Sequence, residues 1–222
     1  MQTTTGAEIF ITRFSAWAPG VESPGEWDEW ALGKRNILCE DKAPDISYTD
    51  SSFRRRLSQI SKMSIQVIHD LLPLREDAKI LFFSFRGELS REYQIHKSMK
   101  EDGTLRPAAF SLSGFNTPVA LASIAFGLKA GYSALYPADN SFSTCITAAE
   151  AALVTGAAEE IVFVYADENV SPGFRSFFRE PPAPAAFCMI LSRVFLSPGV
   201  PLSSLKTEAD NPLSFLKRLL TN

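Results

Sequence analysis

Three short segments of this chain are apolar at almost every position: Lys79–Phe85 (KILFFSF), Glu160–Ala166 (EIVFVYA) and Ala186–Val194 (AFCMILSRV). A strand with one wet face alternates apolar and polar residues, because successive side chains point to opposite sides. A continuous apolar run instead suits a strand covered on both faces, the usual state of a parallel sheet flanked by helices. Whatever else the chain does, it must supply two covering layers.

Helical signals lie between these runs. Phe53, Leu57, Ile60, Ser64, Val67 and Leu71 fall near one face, with Arg54, Arg55, Arg56 and Lys62 largely away from it, which predicts one amphipathic helix over 53–72. Glu88–Lys100 predicts a polar helix, and Leu213–Leu220 a short terminal one. Glu8–Ala16 and Gly131–Tyr136 predict two further strands. Pro19–Asn36, with Trp27 and Trp30, reads as a loop or short helix, and Ser171–Pro184, with its four prolines, as a long loop. The alternation argues an α/β fold with a mostly parallel sheet and helices on both faces, in a single domain over residues 1–222.

Two predicted helices have unusual surfaces. Thr117–Leu128 carries no charge, and Phe142–Thr155 only Glu150. A helix apolar all round is expected to be buried all round. Either these helices form the centre of the domain, or another subunit covers part of them.

Composition removes several function classes. The 222 residues carry 22 Lys+Arg against 25 Asp+Glu, a formal charge of −3, so no basic face for nucleic acid is expected. The longest uncharged stretch, Pro107–Leu128, is interrupted by Pro, Gly and Asn and does not read as a membrane span. Met1–Gly6 has neither a basic region nor an apolar run, so no signal peptide is expected. Cys39, Cys145 and Cys188 form no CxxC pair, which argues against a disulfide framework or a zinc site and for a reducing, cytoplasmic location. There is no GxGxxG, GxxxxGK[ST] or GxSxG, so neither nucleotide binding nor a hydrolase elbow is supported. No cofactor and no metal is implied.

Local candidates for chemistry each have a plainer reading. The turn Tyr136-Pro137-Ala138-Asp139-Asn140-Ser141 enters a helix, so Asp139, Asn140 or Ser141 serves as its N-cap or as an active-site group. Cys145, a turn inside that helix, reads as a small core residue. His69, beside Asp70, and His96, beside Lys97, read as ordinary helix residues. Arg54-Arg55-Arg56 reads as a solvated face, or as a place for an acidic carrier protein.

The order of these signals resembles the N-terminal half of a β-ketoacyl synthase, a condensing enzyme of the thiolase fold. Ile9–Thr12, Pro19-Gly20, Trp30 and Leu32-Gly33 resemble the opening strand and its loop. Arg54–Leu72 resembles the first Arg-rich helix. Phe110–Leu112 with Asn116, Ser123-Ile124 and Gly127–Lys129 resemble the stretch before the catalytic elbow, Gly131–Ser141 the elbow, and Glu160–Glu168 the next strand with its acidic end. Within that family the chain resembles short synthase-like proteins of aryl polyene pathways.

The departures carry the functional implication. Where active synthases have a nucleophilic Cys in a T-A-C-S-S type elbow, this chain has Asp139, and a carboxylate cannot hold an acyl chain as a thioester. The two family His belong to a C-terminal half beyond this sequence. The resemblance therefore implies no catalytic residue of its own: a chain-length-factor-like subunit that pairs with a full-length β-ketoacyl synthase, as a heterodimer or larger, and meets acyl carrier protein transiently. It further implies that Leu112, Ser113, Gly114, Phe115 and Asn116 border the shared acyl tunnel, with Phe115 as its stop and Phe110 in the core. Tyr132, Ser133, Ala134 and Leu135 would form the strand paired with the partner. The alternative is a stand-alone acyl-thioester hydrolase or decarboxylase acting through Asp139.

Overall fold

The computed structural model describes residues 8–137, 141–178, 182–208 and 211–222. Six strands form one sheet: β1 (Phe10–Trp17), β2 (Lys79–Phe83), β3 (Tyr132–Leu135), β4 (Glu160–Asp167), β5 (Ala185–Ser192) and β6 (Val200–Pro201), in the order β3-β2-β4-β5-β1-β6. β2 pairs in parallel with both β3 and β4. β5 runs antiparallel to β4 and β1, and β6 antiparallel to β1. The sheet is thus mixed rather than mostly parallel as expected: β1 to β4 point one way, β5 and β6 the other. The predicted α/β class stands. The β4–β5 connection reverses direction because the segment between them carries only a short 3₁₀ turn, Pro172–Phe177, and no crossover helix among its described residues.

The continuous apolar runs are explained by two cores. On β4, Ile161, Phe163 and Tyr165 join Phe187, Met189 and Leu191 of β5 on one face. Val162, Val164 and Ala166 join Ala186, Cys188 and Ile190 on the other. The first face is covered by α1 (Pro24–Ala31), α7 (Phe142–Val154) and α8 (Pro212–Thr221), the second by α3 (Gln59–His69) and α6 (Thr117–Phe126). Phe142 anchors α7, its ring centroid 5.9 Å from those of Phe163 and Phe187 and 5.3 Å from that of Phe215 on α8. Each such fully buried aromatic is worth about 1.5–3 kcal/mol of burial, which favours this layer over a solvated helix.

Two expectations are corrected here. The amphipathic pattern over 53–72 is not one helix. It is α2 (Ser51–Arg54), capped by Asp50 accepting from the Ser52 and Phe53 amides, and α3, capped by Ser58 accepting from the Ser61 amide at 3.2 Å. Two side-chain caps eight residues apart outcompete a continuous helix, although the apolar period runs through the break. The uncharged helix α6 is not buried all round: Thr117, Pro118, Val119 and Ala122 are buried, while Ile124 is 69% exposed. α6 stops where Gly127 adopts a left-handed conformation at φ +63°. Between β2 and α6 lie α4 (Leu89–Asp102) and α5 (Pro107–Phe110).

Candidate functional site

The C-terminal ends of β2 and β4 lie side by side, so the residues leaving them meet. Both runs end in polar residues, Ser84 after β2 and Asp167 at the end of β4, and both are buried. The Asp167 carboxylate accepts hydrogen bonds from Ser84 Oγ (2.7 Å), the backbone amides of Phe85 (3.2 Å) and Arg86 (3.0 Å), and the Tyr165 hydroxyl (2.6 Å). The Arg86 guanidinium stands 3.6 Å away, itself nearly buried. Burial and the neighbouring Asp167 push the Tyr165 phenol well above its ordinary range, which keeps it a donor. A buried carboxylate without such partners would cost several kcal/mol; here both oxygens accept hydrogen bonds.

Ser84 passes the order onward. Its hydroxyl oxygen accepts from the Gly87 amide at 2.7 Å and the Arg86 amide at 3.2 Å. Gly87 takes φ +58°, and a Cβ built there would stand 2.7 Å from Phe115 Cδ2, so only glycine lets the Phe115 ring lie on this backbone.

A second pair of carboxylates lies beside this loop. Glu88 is buried and accepts from Ser58 Oγ (2.7 Å), Ser61 Oγ (2.8 Å) and Arg91 Nε (3.1 Å). Glu168 accepts from the Ser90 amide, in the first turn of α4, at 2.7 Å. Burial, with Glu88 and Asp167 nearby, pushes the Glu168 carboxyl up to about 7, against the lowering effect of the Ser90 amide. Glu168 lies on a cleft of about 620 Å³, whose other walls include Ser90, Arg91, Gln94 and Ser98 of α4 and Arg106. Sequence reasoning singles out no part of this network for chemistry. Its signal is a polar residue closing each of two apolar runs, but the contacts span about eighty residues of chain.

The predicted tunnel and strand residues come together. β3 ends the sheet, and Tyr132, Ser133 and Leu135 are exposed. Asn116 Nδ2 donates to the Tyr132 hydroxyl at 3.1 Å, joining the 112–116 segment to that edge. Ser113 Oγ turns back onto the Phe110 carbonyl at 2.9 Å. Leu112 and Ser113 are half-buried, and Gly114 and Asn116 are exposed. Phe115 is half-buried against its own chain, over Gly87 and with its ring 6.3 Å from that of Phe82. Phe110, expected in the core, is 61% exposed: it ends the short helix α5 and no strand carries it inward. With Ile124, Tyr132, Leu135 and Tyr136 it belongs to the exposed large apolar side chains of the 110–136 region.

The remaining candidates resolve as follows. Asp139 and Asn140, with Ala138, lie outside the described residues. Ser141 is the N-cap of α7, but its hydroxyl bonds Ser143 Oγ at 2.7 Å and caps no amide. Cys145 is a buried core residue whose thiol burial pushes up to about 12, so it stays neutral. His69 stacks on Tyr48 with ring centroids 3.8 Å apart, and His96 is exposed on α4. Arg54 is not a free cation: its guanidinium donates to the Ser47 and Thr49 carbonyls at 3.1 and 2.6 Å and ties down the preceding loop. Among the described residues, no three His, Cys, Asp or Glu side chains gather so as to hold a metal ion, and no helix is long and apolar enough to cross a membrane.

Comparison with known proteins bears on what this arrangement is. The fold is similar to that of a chain in the complex of the ketosynthase ApeO with its chain length factor ApeC from Xenorhabdus doucetiae, with a TM-score of 0.73 at 23% identity, covering 83% of this chain and 79% of that one. It is also similar to the ishigamide ketosynthase/chain length factor, with a TM-score of 0.66 at 12% identity over 88% of this chain and 64% of that one. A chain of the complex of a type II polyketide synthase acyl-carrier protein with its ketosynthase matches with a TM-score of 0.63 at 16% identity, over 83% of this chain and 63% of that one. The chain thus spans under two thirds of these last two. No curated protein matches the sequence significantly. These likenesses give the thiolase-like ketosynthase fold. A family model for the N-terminal domain of β-ketoacyl synthases matches residues 27–214, most of the sequence. The chain belongs to the β-ketoacyl synthase N-terminal domain family.

Proposed function

We propose that this chain is a non-catalytic, chain-length-factor-like subunit that pairs with an active β-ketoacyl synthase. Together they would extend a carrier-bound acyl chain of the aryl polyene or fatty-acid-like kind. The observation that carries the reading is the sheet edge. β3 is an unguarded edge strand without a charged residue, and exposed Phe110, Ile124, Leu135 and Tyr136 lie in the chain around it. A soluble protein ordinarily blunts such an edge with charge or covers it. Family membership favours a synthase as the covering partner, and the sequence resemblance that sets Asp139 against the family's Cys argues for a chain without that nucleophile. Two of the structural relatives are ketosynthase and chain length factor assemblies, and a third was solved with an acyl-carrier protein, which supports a synthase partner and transient carrier contact. A cytoplasmic location goes with this reading.

The competing reading, a hydrolase or decarboxylase working through Asp139, draws no support from the described residues. Cys145 is a neutral core thiol, and His69 is engaged with Tyr48. The test is co-expression with a full-length synthase that carries Cys and two His. A permanent complex burying well over ~1,600 Å² is expected, seen by sedimentation as a stable hetero-oligomer. A monodisperse monomer indifferent to the synthase overturns the proposal.

A further inference from the structure

Asp167 lies in the interior, yet the contacts leading from it end at the β3 edge. Its carboxylate gathers Ser84 Oγ and the amides of Phe85 and Arg86, and Ser84 in turn holds the Gly87 amide. This folds residues 84–87 into a tight turn. Two sets of contacts leave the turn. The Gly87 backbone seats the Phe115 ring, from which Asn116 reaches the Tyr132 hydroxyl. The Phe85 ring meets Tyr136, just beyond β3, edge to face at 6.4 Å, and meets Tyr165 at 6.2 Å on its way back to Asp167.

We infer that Asp167 is a positioning residue that, through the Ser84–Gly87 turn, holds the 112–116 segment and the exit of β3 in one fixed arrangement. The role of that arrangement as a partner-binding surface rests on the proposed function; the positioning itself does not. The physical ground is that several donors converge on one buried carboxylate, and all of them except the Tyr165 hydroxyl lie on the turn that seats the surface residues. With the carboxylate gone, these donors lose a shared acceptor, and the turn has no other described hydrogen bond holding the Phe85 amide.

The test is amide hydrogen exchange on the full 222-residue chain, read by segment. Asp167→Ala is expected to speed exchange in 110–117 and 132–136 by about tenfold or more, with β1, β5 and α8 within about twofold. Asp167→Asn keeps an acceptor oxygen for Ser84 and the two amides, so it is expected to restore most of the protection. Gly87→Ala displaces Phe115 with Asp167 intact and should loosen 110–117 on its own. Combined with Asp167→Ala, it should add little further, as coupled sites do. Equal loosening throughout the chain, or loosening confined to 84–87, overturns the inference. Should Asp167→Ala fail to fold, Ser84→Ala removes the same relay, and unchanged exchange at 110–117 in that variant overturns it equally. Pull-down of co-expressed full-length synthase is scored separately: wild-type chain that fails to bind overturns the partner reading and leaves the exchange result standing.

Discussion

β3 and β4 flank the same strand. Both pair with β2 in parallel register, yet they lead opposite lives. β4 is buried from Ile161 to Asp167, with β5 filling its other side and a core on each face. β3 has exposed residues at Tyr132, Ser133 and Leu135, and among the described residues no strand lies beyond it in the sheet. The apolar content of β4 stabilises this chain alone. That of β3 and its neighbours stays in water, unguarded by any charge within the strand. The contrast separates residues that hold the chain together from residues held ready for something else.

The largest effect should come from the centre. Phe163 is fully buried, stacked 4.9 Å from Phe83 and in ring contact with Phe142. Phe163→Ala is expected to cost about 3–5 kcal/mol, read by denaturant unfolding. A cost below that of a surface change would break the comparison at its stable end.

A pH titration gives the next effect. Glu168 is buried with its carboxyl raised to about 7 from an ordinary 4.5, so the folded chain binds a proton there that the unfolded chain has released. Between those values stability from this group falls as pH rises, and the penalty is complete above about 7. The ceiling is on the order of 3 kcal/mol. Glu168→Gln should remove that slope and leave the variant the more stable protein at pH 8. Equal pH profiles for the two would show that Glu168 ionises at its ordinary pH.

How far the sequence discloses each region follows from the range of the forces involved. The buried runs at β2, β4 and β5 are legible because covering both faces leaves no polar alternation. The break between α2 and α3 is hidden because Phe53, Leu57 and Ile60 keep the helical period across it, while the deciding caps are single side chains. The Asp167 network is hidden because its partners on the turn, Ser84 and Arg86, lie more than eighty residues away in the chain. Phe110 and Phe115 sit in one apolar stretch, and only the fold decides that Phe115 packs on Gly87 while Phe110 faces water. That β3 ends the sheet is marked by no local pattern, since a strand's place in the pairing order is set by contacts distant in the chain.

At the edge the expected effect on the isolated chain is small. Ile124→Lys and Leu135→Lys place charge on exposed positions and should change unfolding free energy by no more than about 0.5 kcal/mol. In the complex the same charges would be trapped against apolar surface, so co-purification with the synthase should be lost. Stability lost along with assembly would mean that β3 belongs to the chain's own core after all.

The sharpest division, between two aromatic residues of one segment, is expected within residues 110–116. Phe115 spends part of its ring on Gly87 and Phe82, so Phe115→Ala should destabilise the isolated chain measurably, by about 1–2 kcal/mol for a half-buried aromatic. Phe110 spends little, and Phe110→Ala should stay within about 0.5 kcal/mol. If the segment borders an acyl tunnel in the complex, bulk at its end sets where a chain stops, and forcing one further unit costs roughly 1–3 kcal/mol. Phe115→Ala should then lengthen products, and Gly114→Phe or Ser113→Phe shorten them. Phe110→Ala, which leaves the fold untouched, tells whether a residue offered to solvent also reaches the chain. The measurement is the mass distribution of carrier-bound acyl products from the reconstituted complex. A shift with Phe115→Ala alone would place the stop on the ring that the chain itself holds rigid. A shift with Phe110→Ala alone would place it on the uncovered side, with the partner supplying the opposing wall. No shift in any variant, with the complex intact, would confine this edge to assembly.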